Sequence, residues 1–271
     1  MPLDQIDVDK IKPGEEKEMS FLDHLEELRW HIIRAAGSIV LVGAIVFLAK
    51  SFVFDVVILG PTKTDFFTYQ LLCSLADFLC MNPGESLEII TRDLGEQFVT
   101  HLKASIFIGI ILAFPYIFWE IWRFIKPGLY KNEQKAARGI VFVCSTLFII
   151  GVLFGYYVIS PFAVSFLSSY SVSADISNTT TLTSYVNYMT MFTIPTGLVF
   201  ELPIVVYFLS KIGILTPAFM KAYRRHAIVI IFIAASIITP PDVITQFLIA
   251  IPLIILYEAS ILIAKRQQKE S

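Results

Sequence analysis

The chain has 271 residues, of which 56% are hydrophobic and 16% are charged, and its mean hydropathy is +0.70. A soluble domain carries about 25% charged residues, so the composition excludes an ordinary water-soluble fold. The net charge of -2, without one continuous basic stripe, argues against nucleic-acid binding. We therefore predict an all-α integral membrane protein.

Six apolar segments are candidate membrane spans, because a spanning helix needs about 20 apolar residues to cross about 30 Å of hydrocarbon. In chain order they are Trp30–Ala49, Leu102–Ile121, Gly139–Ile159, Tyr185–Ser210, Ala227–Ile238 and Val243–Ala264. The fifth would reach only about 18 Å, and Pro252 falls in the middle of the sixth. The pattern predicts six transmembrane helices with two short C-terminal spans, in a locally thinned bilayer.

Lysine and arginine predict the orientation of the spans. They accumulate before the first span, in the second-to-third and fourth-to-fifth connections, and in the tail. Positive residues favour the cytoplasmic side, so both termini are predicted to be cytoplasmic. The expected organisation is an N-terminal extension over 1–19, a six-span domain over 20–264 and a cytoplasmic tail over 265–271.

The outer connections differ in character. The first, from about Ser51 to Thr100, is long enough to fold over the membrane surface, whereas the second, Pro161 to Thr183, is Ser/Thr-rich and expected to be irregular. A helix around Leu71–Leu79 would place Cys73 and Cys80 about 10.5 Å apart along its axis. That exceeds the Cα separation of about 7 Å that a disulfide allows, so either the helix is broken or both thiols are free.

The segment before the first span predicts an amphipathic helix at the inner membrane interface. Its apolar residues recur at helical spacing, namely Phe21, Leu22, Leu25, Leu28 and Ile32. Its polar face carries His24, Glu26, Glu27 and Arg29. By residue type alone, this is a solvated face on which Glu27 pairs with His31 at i, i+4.

Four motifs occur in a fixed order along the chain. They are His24-Leu25-Glu26-Glu27-Leu28-Arg29, Pro127-Gly128-Leu129-Tyr130 followed by Glu133, Phe200-Glu201-Leu202-Pro203, and Thr239-Pro240-Pro241-Asp242 followed by Gln246. Together they closely resemble the TatC family, the receptor subunit of twin-arginine protein translocases, from about Ser20 to Glu258. Gln134 is a departure, since the family often has arginine after the loop glutamate.

The resemblance implies a glove-shaped, concave bundle of six spans in the bacterial inner membrane. It implies binding of the twin-arginine signal peptides of folded cargo and assembly with TatA-like and TatB-like single-span partners. It also implies a homo-oligomer within the receptor complex and transport driven by the proton-motive force. Neither enzyme activity nor a cofactor or metal is implied.

The resemblance assigns the reading of the signal's paired arginines to Glu27 and Glu133. On residue type alone, Glu133 would be a solvent-facing loop charge. The chemistry agrees with the assignment, because a carboxylate accepts the planar fork of a guanidinium bidentately and an ammonium cannot match it. Each such contact contributes about 1.5 to 3 kcal/mol. Further candidate functional residues are Arg29, Glu120, Asp242 and Gln246.

Glu201 is the only ionisable side chain between Tyr185 and Ser210 apart from the tyrosines. A charge at the bilayer centre costs at least about 2.5 kcal/mol, so such a residue usually faces a cavity or a partner. Pro203 lacks an amide proton and lets the helix bend around the acid. We predict that Glu201 receives a polar residue from a single-span partner; a hydrogen bond to a neighbouring span is the structural alternative.

Two other protein classes are considered. A proton-coupled carrier of a small solute is suggested by Glu201 and the proline-broken spans, but no internal repeat supports it. An intramembrane enzyme lacks its usual motifs, because the four histidines form no HExxH and no GxSxG occurs. No catalytic residue is therefore predicted.

Overall fold

The computed structural model describes residues 21–75, 88–126, 139–173, 179–211, 213–239 and 243–270. The described part is mainly helical. Its α-helices are α1 (Phe21–Leu48), α2 (Lys50–Phe52), α3 (Phe67–Leu75), α4 (Glu96–Ile125), α5 (Ile140–Phe154), α6 (Ser160–Ser169), α7 (Leu182–Val199), α8 (Leu202–Lys211), α9 (Pro217–Ala222), α10 (Arg224–Ile238) and α11 (Val243–Glu270). Short π-helical turns cover Val53–Ile58 and Gly155–Ile159, and a 3-10 turn covers Gly60–Thr62.

Five helical segments in the described ranges are long and apolar enough to cross a membrane. They are His24–Leu48, Glu96–Ile125, Ile140–Ser169, Leu182–Lys211 and Val243–Arg266. They contain or overlap the predicted spans one to four and six. The fifth predicted span falls on α10, whose 15 residues extend about 22 Å. The helix exists where it was expected, while the count of six membrane crossings stays a prediction.

Helix α1 joins the predicted interfacial segment to the first span without interruption. Its 28 residues extend about 42 Å, which is longer than the hydrocarbon thickness of about 30 Å. Helix α1 is therefore long enough for one of its ends to lie outside the hydrocarbon. The polar residues of the first motif stand on the first turns of α1, on the same rigid helix as the span.

Glycines set the distances between the long helices. Helix α1 packs along α4, and α5 packs against both α4 and α7. A Cβ atom added to Gly109 would lie 3.0 Å from the Cα atom of Gly43, and one added to Gly151 would lie 2.8 Å from the Cα atom of Gly197. Small residues at helix crossings allow such close backbone approach, so these two crossings bring the first span close to the second and the third close to the fourth.

The fourth span is interrupted between α7 and α8, at Phe200 and Glu201. Pro203 cannot donate to the carbonyl of Val199, so the regular ladder of hydrogen bonds breaks there. The carbonyl of Glu201 then accepts from the amides of Ile204 at 3.0 Å and Val205 at 3.1 Å, which restarts the helix. The helix is thus interrupted beside the acid, while the bend around it stays a prediction. Helix α8 packs along α11, and α11 packs against α10.

The outer connections are joined by a short parallel ladder. Strand β1 (Glu88–Ile90) pairs with β2 (Thr179–Thr181), with Glu88 opposite Thr179. The prediction that the second connection is irregular from Pro161 onward was wrong, because α6 continues the third span to Ser169. The small apolar and hydroxyl side chains of α6 are largely buried, and this tertiary packing sustains the helix.

The first outer connection contains α3 and the cysteine predicted to lie on a helix. Cys73 lies on α3 and is disulfide-bonded, whereas Cys144 is buried and free. Cys80 lies outside the described residues. Burial also raises the pKa of Tyr69 on α3, and the hydroxyl of this tyrosine donates to the carbonyl of Pro61 at 2.9 Å.

Candidate functional site

The polar face of α1 meets the end of α4 at the inner end of the bundle. His24 stacks on the ring of Phe124, with the ring centroids 4.4 Å apart. The side chain of Glu27 is 38% exposed, and Arg29 is also exposed. Glu27 is thus presented to solvent from a helix whose position is set by packing against the second span.

Beneath Glu27 lies a buried cluster of charged side chains formed by α1 and α4. Glu120 is only 1% exposed, and its Oε2 atom is the centre of the cluster. His31 Nδ1 lies 2.5 Å from this oxygen, and Arg34 donates to it from Nε at 3.1 Å. Both partners come from α1, one helical turn apart, so the carboxylate of α4 bridges two turns of the first span.

The hydrogen positions in this cluster follow from the chemistry of its members. An ionised carboxylate only accepts and a guanidinium only donates, so His31 must donate from Nδ1 to Glu120. The 3.0 Å approach of Arg34 Nη2 to the same nitrogen is then a contact and not a hydrogen bond. His31 Nε2 is left facing outward, toward Glu27.

His31 connects the buried cluster with the exposed acid. Its Nε2 lies 3.9 Å from Oε1 of Glu27, which is too long for a hydrogen bond but close enough for a charge interaction. The i, i+4 approach expected from residue type is present. The sequence did not reveal that the principal partner of His31 is Glu120, which is 89 positions away in the chain.

A local signal for this cluster was present in the sequence. His31 and Arg34 stand three positions apart within an apolar span, and Glu120 stands within another. Polar groups of opposite charge at the same depth of two spans are costly to bury unless they pair. Such a match could have suggested the pairing without a structure.

Two predicted site residues cannot be placed relative to this cluster. Glu133 and Asp242 lie outside the described residues, in 127–138 and 240–242. The structure therefore brings Glu27 together with Glu120 and says nothing about the separation of Glu27 and Glu133.

Glu201 occupies a second buried position, at the break in the fourth span. Both of its carboxylate oxygens are buried, and neither has a hydrogen-bond partner within the described parts of the chain. The Cys144 thiol and the backbone of Phe148, both on α5, face this carboxylate. Burial without a hydrogen-bond partner is costly for a carboxyl group.

Gln246 stabilises the last helical hairpin. Its Nε2 donates to the carbonyl of Phe232 at 3.2 Å, which joins α11 to α10 near the outer end. At the other end of the same two helices, Arg224 donates to Glu258. These contacts hold the short helix α10 against the long helix α11 at both ends.

Among the described side chains, no group of three or more histidine, cysteine, aspartate or glutamate residues is placed to hold a metal ion. The buried acids instead face a histidine and an arginine in one case and a thiol in the other.

Five long apolar helices packed around glycine crossings define a multi-pass helical membrane protein. Residues 23–252 match the family model of TatC, described as Sec-independent protein translocase protein. The chain belongs to the TatC family. Its resemblance to that family, based on four motifs, is confirmed. Members are components of the Sec-independent translocase, which contains other Tat subunits, and they are not enzymes.

Individual relatives agree with the family match. The TatC protein of Blattabacterium sp. subsp. Periplaneta americana is 39% identical over 257 residues, covering 93% of this chain and 97% of the relative. That of Helicobacter pylori is 46% identical over 170 residues, covering 63% of this chain and 67% of the relative. A crystal structure of the twin arginine translocase receptor TatC superposes with a TM-score of 0.69 at 31% identity, covering 90% of this chain and 99% of that one. These matches leave no support for the carrier or enzyme alternatives.

Proposed function

We propose that this protein is the signal-peptide receptor of a twin-arginine translocase and reads the paired arginines with Glu27 and Glu133. The observation that carries the proposal is the partly exposed Glu27 carboxylate, carried by the N-terminal part of α1 next to a charge cluster at the contact with α4. Its backbone is held in a helix that packs against a neighbouring span, so little backbone freedom is lost when a ligand binds. An acid presented in this way suits a planar guanidinium.

Two carboxylates give specificity but limited affinity, since each charge-assisted contact contributes about 1.5 to 3 kcal/mol. The apolar segment of the signal peptide therefore binds as well, along the membrane-facing surface of the bundle. Arg29 is proposed as a neighbouring positive charge that helps to orient the peptide.

Peptide binding tests the arginine-reading role. Glu27→Ala and Glu133→Ala should each weaken a twin-arginine peptide about tenfold to 150-fold, as loss of one charge-assisted contact implies, and weaken a twin-lysine peptide much less. Glu26→Ala is the matched control, because Glu26 is the adjacent exposed acid on α1. Equal losses for both peptides would leave only a general charge effect and would reject the specific role.

The proposed topology is six spans with both termini in the cytoplasm of a bacterial cell, in the inner membrane. The distribution of basic residues supports it. Cysteines introduced at Lys12 and Asn132 should react only from the cytoplasm, and one at Asn178 only from outside. Labelling of position 132 from outside intact cells would overturn this topology.

We further propose that Glu201 docks a polar residue from the single helix of a TatA-like or TatB-like partner, within a homo-oligomeric complex driven by the proton-motive force. The support is a buried carboxylate without a hydrogen-bond partner in the described residues, beside an interrupted helix. Asp242 and Gln246 are proposed to hold the adjacent hairpin in shape. Glu201→Gln should retain partner cross-linking and export, and Glu201→Ala should reduce both. Wild-type cross-linking and export in the alanine variant would end the docking proposal.

A further inference from the structure

The charge interaction between His31 and Glu27 has a consequence for ligand binding, because the histidine is buried on one side and faces the exposed acid on the other. We propose that His31, anchored by Glu120, is a positioning residue that sets how much negative charge Glu27 presents to an arginine of the signal. This inference rests on the proposed arginine-reading role of Glu27 and adds a second residue to that site.

The first step is the anchoring of the imidazole ring. Glu120 is almost completely buried and holds His31 Nδ1 at 2.5 Å. The ring is also packed against the edge of Phe124, with 6.0 Å between the ring centroids. A histidine fixed at Nδ1 has its tautomer and its orientation determined. Nε2 is therefore directed at Glu27 in every protonation state that keeps the bond to Glu120.

The second step is the charge of the cluster. Arg34 is always positive, and its charge balances that of Glu120. With a neutral His31, the charges of Arg34, Glu120 and Glu27 sum to one negative charge. A guanidinium from the signal peptide neutralises this charge. With a protonated His31, the cluster is already neutral and Glu27 has a cation 3.9 Å away. A proton on His31 and an arginine at Glu27 thus compete for the same carboxylate, and each weakens the binding of the other.

Other ionisable groups face this histidine from the two helices that form the cluster. On α1 these are His24, Glu27 and Arg34. On α4 they are Glu120 with Tyr116 beside it, and Arg123, whose charge acts on Tyr116. His24 stacks on Phe124 and provides a matched histidine control on the same helix.

The test uses the purified full chain and a twin-arginine peptide without histidine or acidic residues, and it compares two His31 variants whose charges are fixed. His31→Arg places a permanent cation beside Glu27 and should bind the peptide about fivefold more weakly than His31→Gln, the effect of one unit charge near 4 Å in water. His24→Gln should bind the peptide as wild type does.

The outcomes separate this inference from the proposed function. If Glu27→Ala binds the peptide as wild type does, the arginine-reading role of Glu27 fails. If Glu27→Ala loses binding but His31→Gln and His31→Arg bind the peptide equally, only the role of His31 fails. A circular dichroism melt of each variant identifies any that is misfolded, so a general loss of structure in His31→Arg is not mistaken for a charge effect.

Discussion

Glu120 and Glu201 are both glutamates within apolar spans, but their surroundings differ. Glu120 shares one oxygen between His31 and Arg34 of the neighbouring helix. Glu201 stands at a helix break, with neither oxygen hydrogen-bonded within the described ranges. The other oxygen of Glu120 is also buried without a partner among the described residues, so the contrast lies in the one oxygen that His31 and Arg34 share. A buried acid that is held by partners costs less stability than one that is not, and burial alone does not distinguish the two.

The largest effect is expected from removing the paired acid. Glu120→Ala should lower the free energy of unfolding by about 3 kcal/mol, because His31 and Arg34 lose their shared acceptor inside the protein. Denaturant unfolding of the purified protein in detergent measures this change. Glu26→Ala, on the exposed face of α1, should be close to neutral. A Glu120→Ala variant as stable as that control would contradict the view that Glu120 is structural.

The unpaired acid should respond in the opposite direction. Glu201→Leu replaces an uncompensated buried carboxyl group by an apolar side chain of similar size, so we expect stability to rise by about 1 kcal/mol. The same variant should lose partner cross-linking, since it offers no hydrogen bond. A clear loss of stability would instead show that Glu201 is satisfied within the bundle, and would remove the contrast with Glu120.

The contribution of Arg34 is expected to be smaller, because its side chain is 40% exposed and partly screened by solvent. A double-mutant cycle with Arg34→Gln and Glu120→Gln should give a coupling energy of about 1 kcal/mol or less. Unfolding of the two single variants and the double variant supplies the measurement. A coupling energy near that of a fully buried pair would mean that Arg34 and not His31 is the main partner of Glu120.

The smallest effect on stability is expected at Glu27. Its side chain is 38% exposed and lies 3.9 Å from His31, so Glu27→Gln should change the free energy of unfolding by less than about 0.5 kcal/mol. The same change should still weaken the binding of a twin-arginine peptide. Large destabilisation would show that Glu27 supports the fold, and its loss of binding could then no longer be assigned to recognition.

The positions of the long helices could be predicted from the sequence, but two local features could not. The second outer connection was expected to be irregular, yet α6 extends to Ser169 because its small side chains are buried by neighbouring elements. The fifth candidate span is a helix of 15 residues, and length alone does not determine whether it crosses the bilayer. Composition describes the average hydropathy of a segment. The extent of α6 and the membrane crossing of α10 depend instead on which elements pack beside these helices.

The candidate site likewise contains residues that could be selected from the sequence and a pairing that could not. Glu27 could be selected because its motif resembles that of the TatC family, and Glu201 could be selected because an acid within a span is unusual by itself. From the sequence, His31 could be identified only as an i, i+4 neighbour of Glu27. Glu120 was a candidate functional residue for which no partner could be named. Their pairing joins residues 89 positions apart and requires α1 to lie along α4.

The sequence by itself determined that this is a membrane protein, where its long helices lie, and which family it belongs to. Hydropathy, helical periodicity and ordered motifs are local along the chain, so they can be read without knowing which helices touch. Tertiary structure alone decided that Glu120 is paired with His31 and Arg34, and that Glu201 has no hydrogen-bond partner among the described residues. A carboxylate's partners are set by which helix faces it, and glycine crossings such as Gly43 with Gly109 bring the first two spans close enough for that pairing.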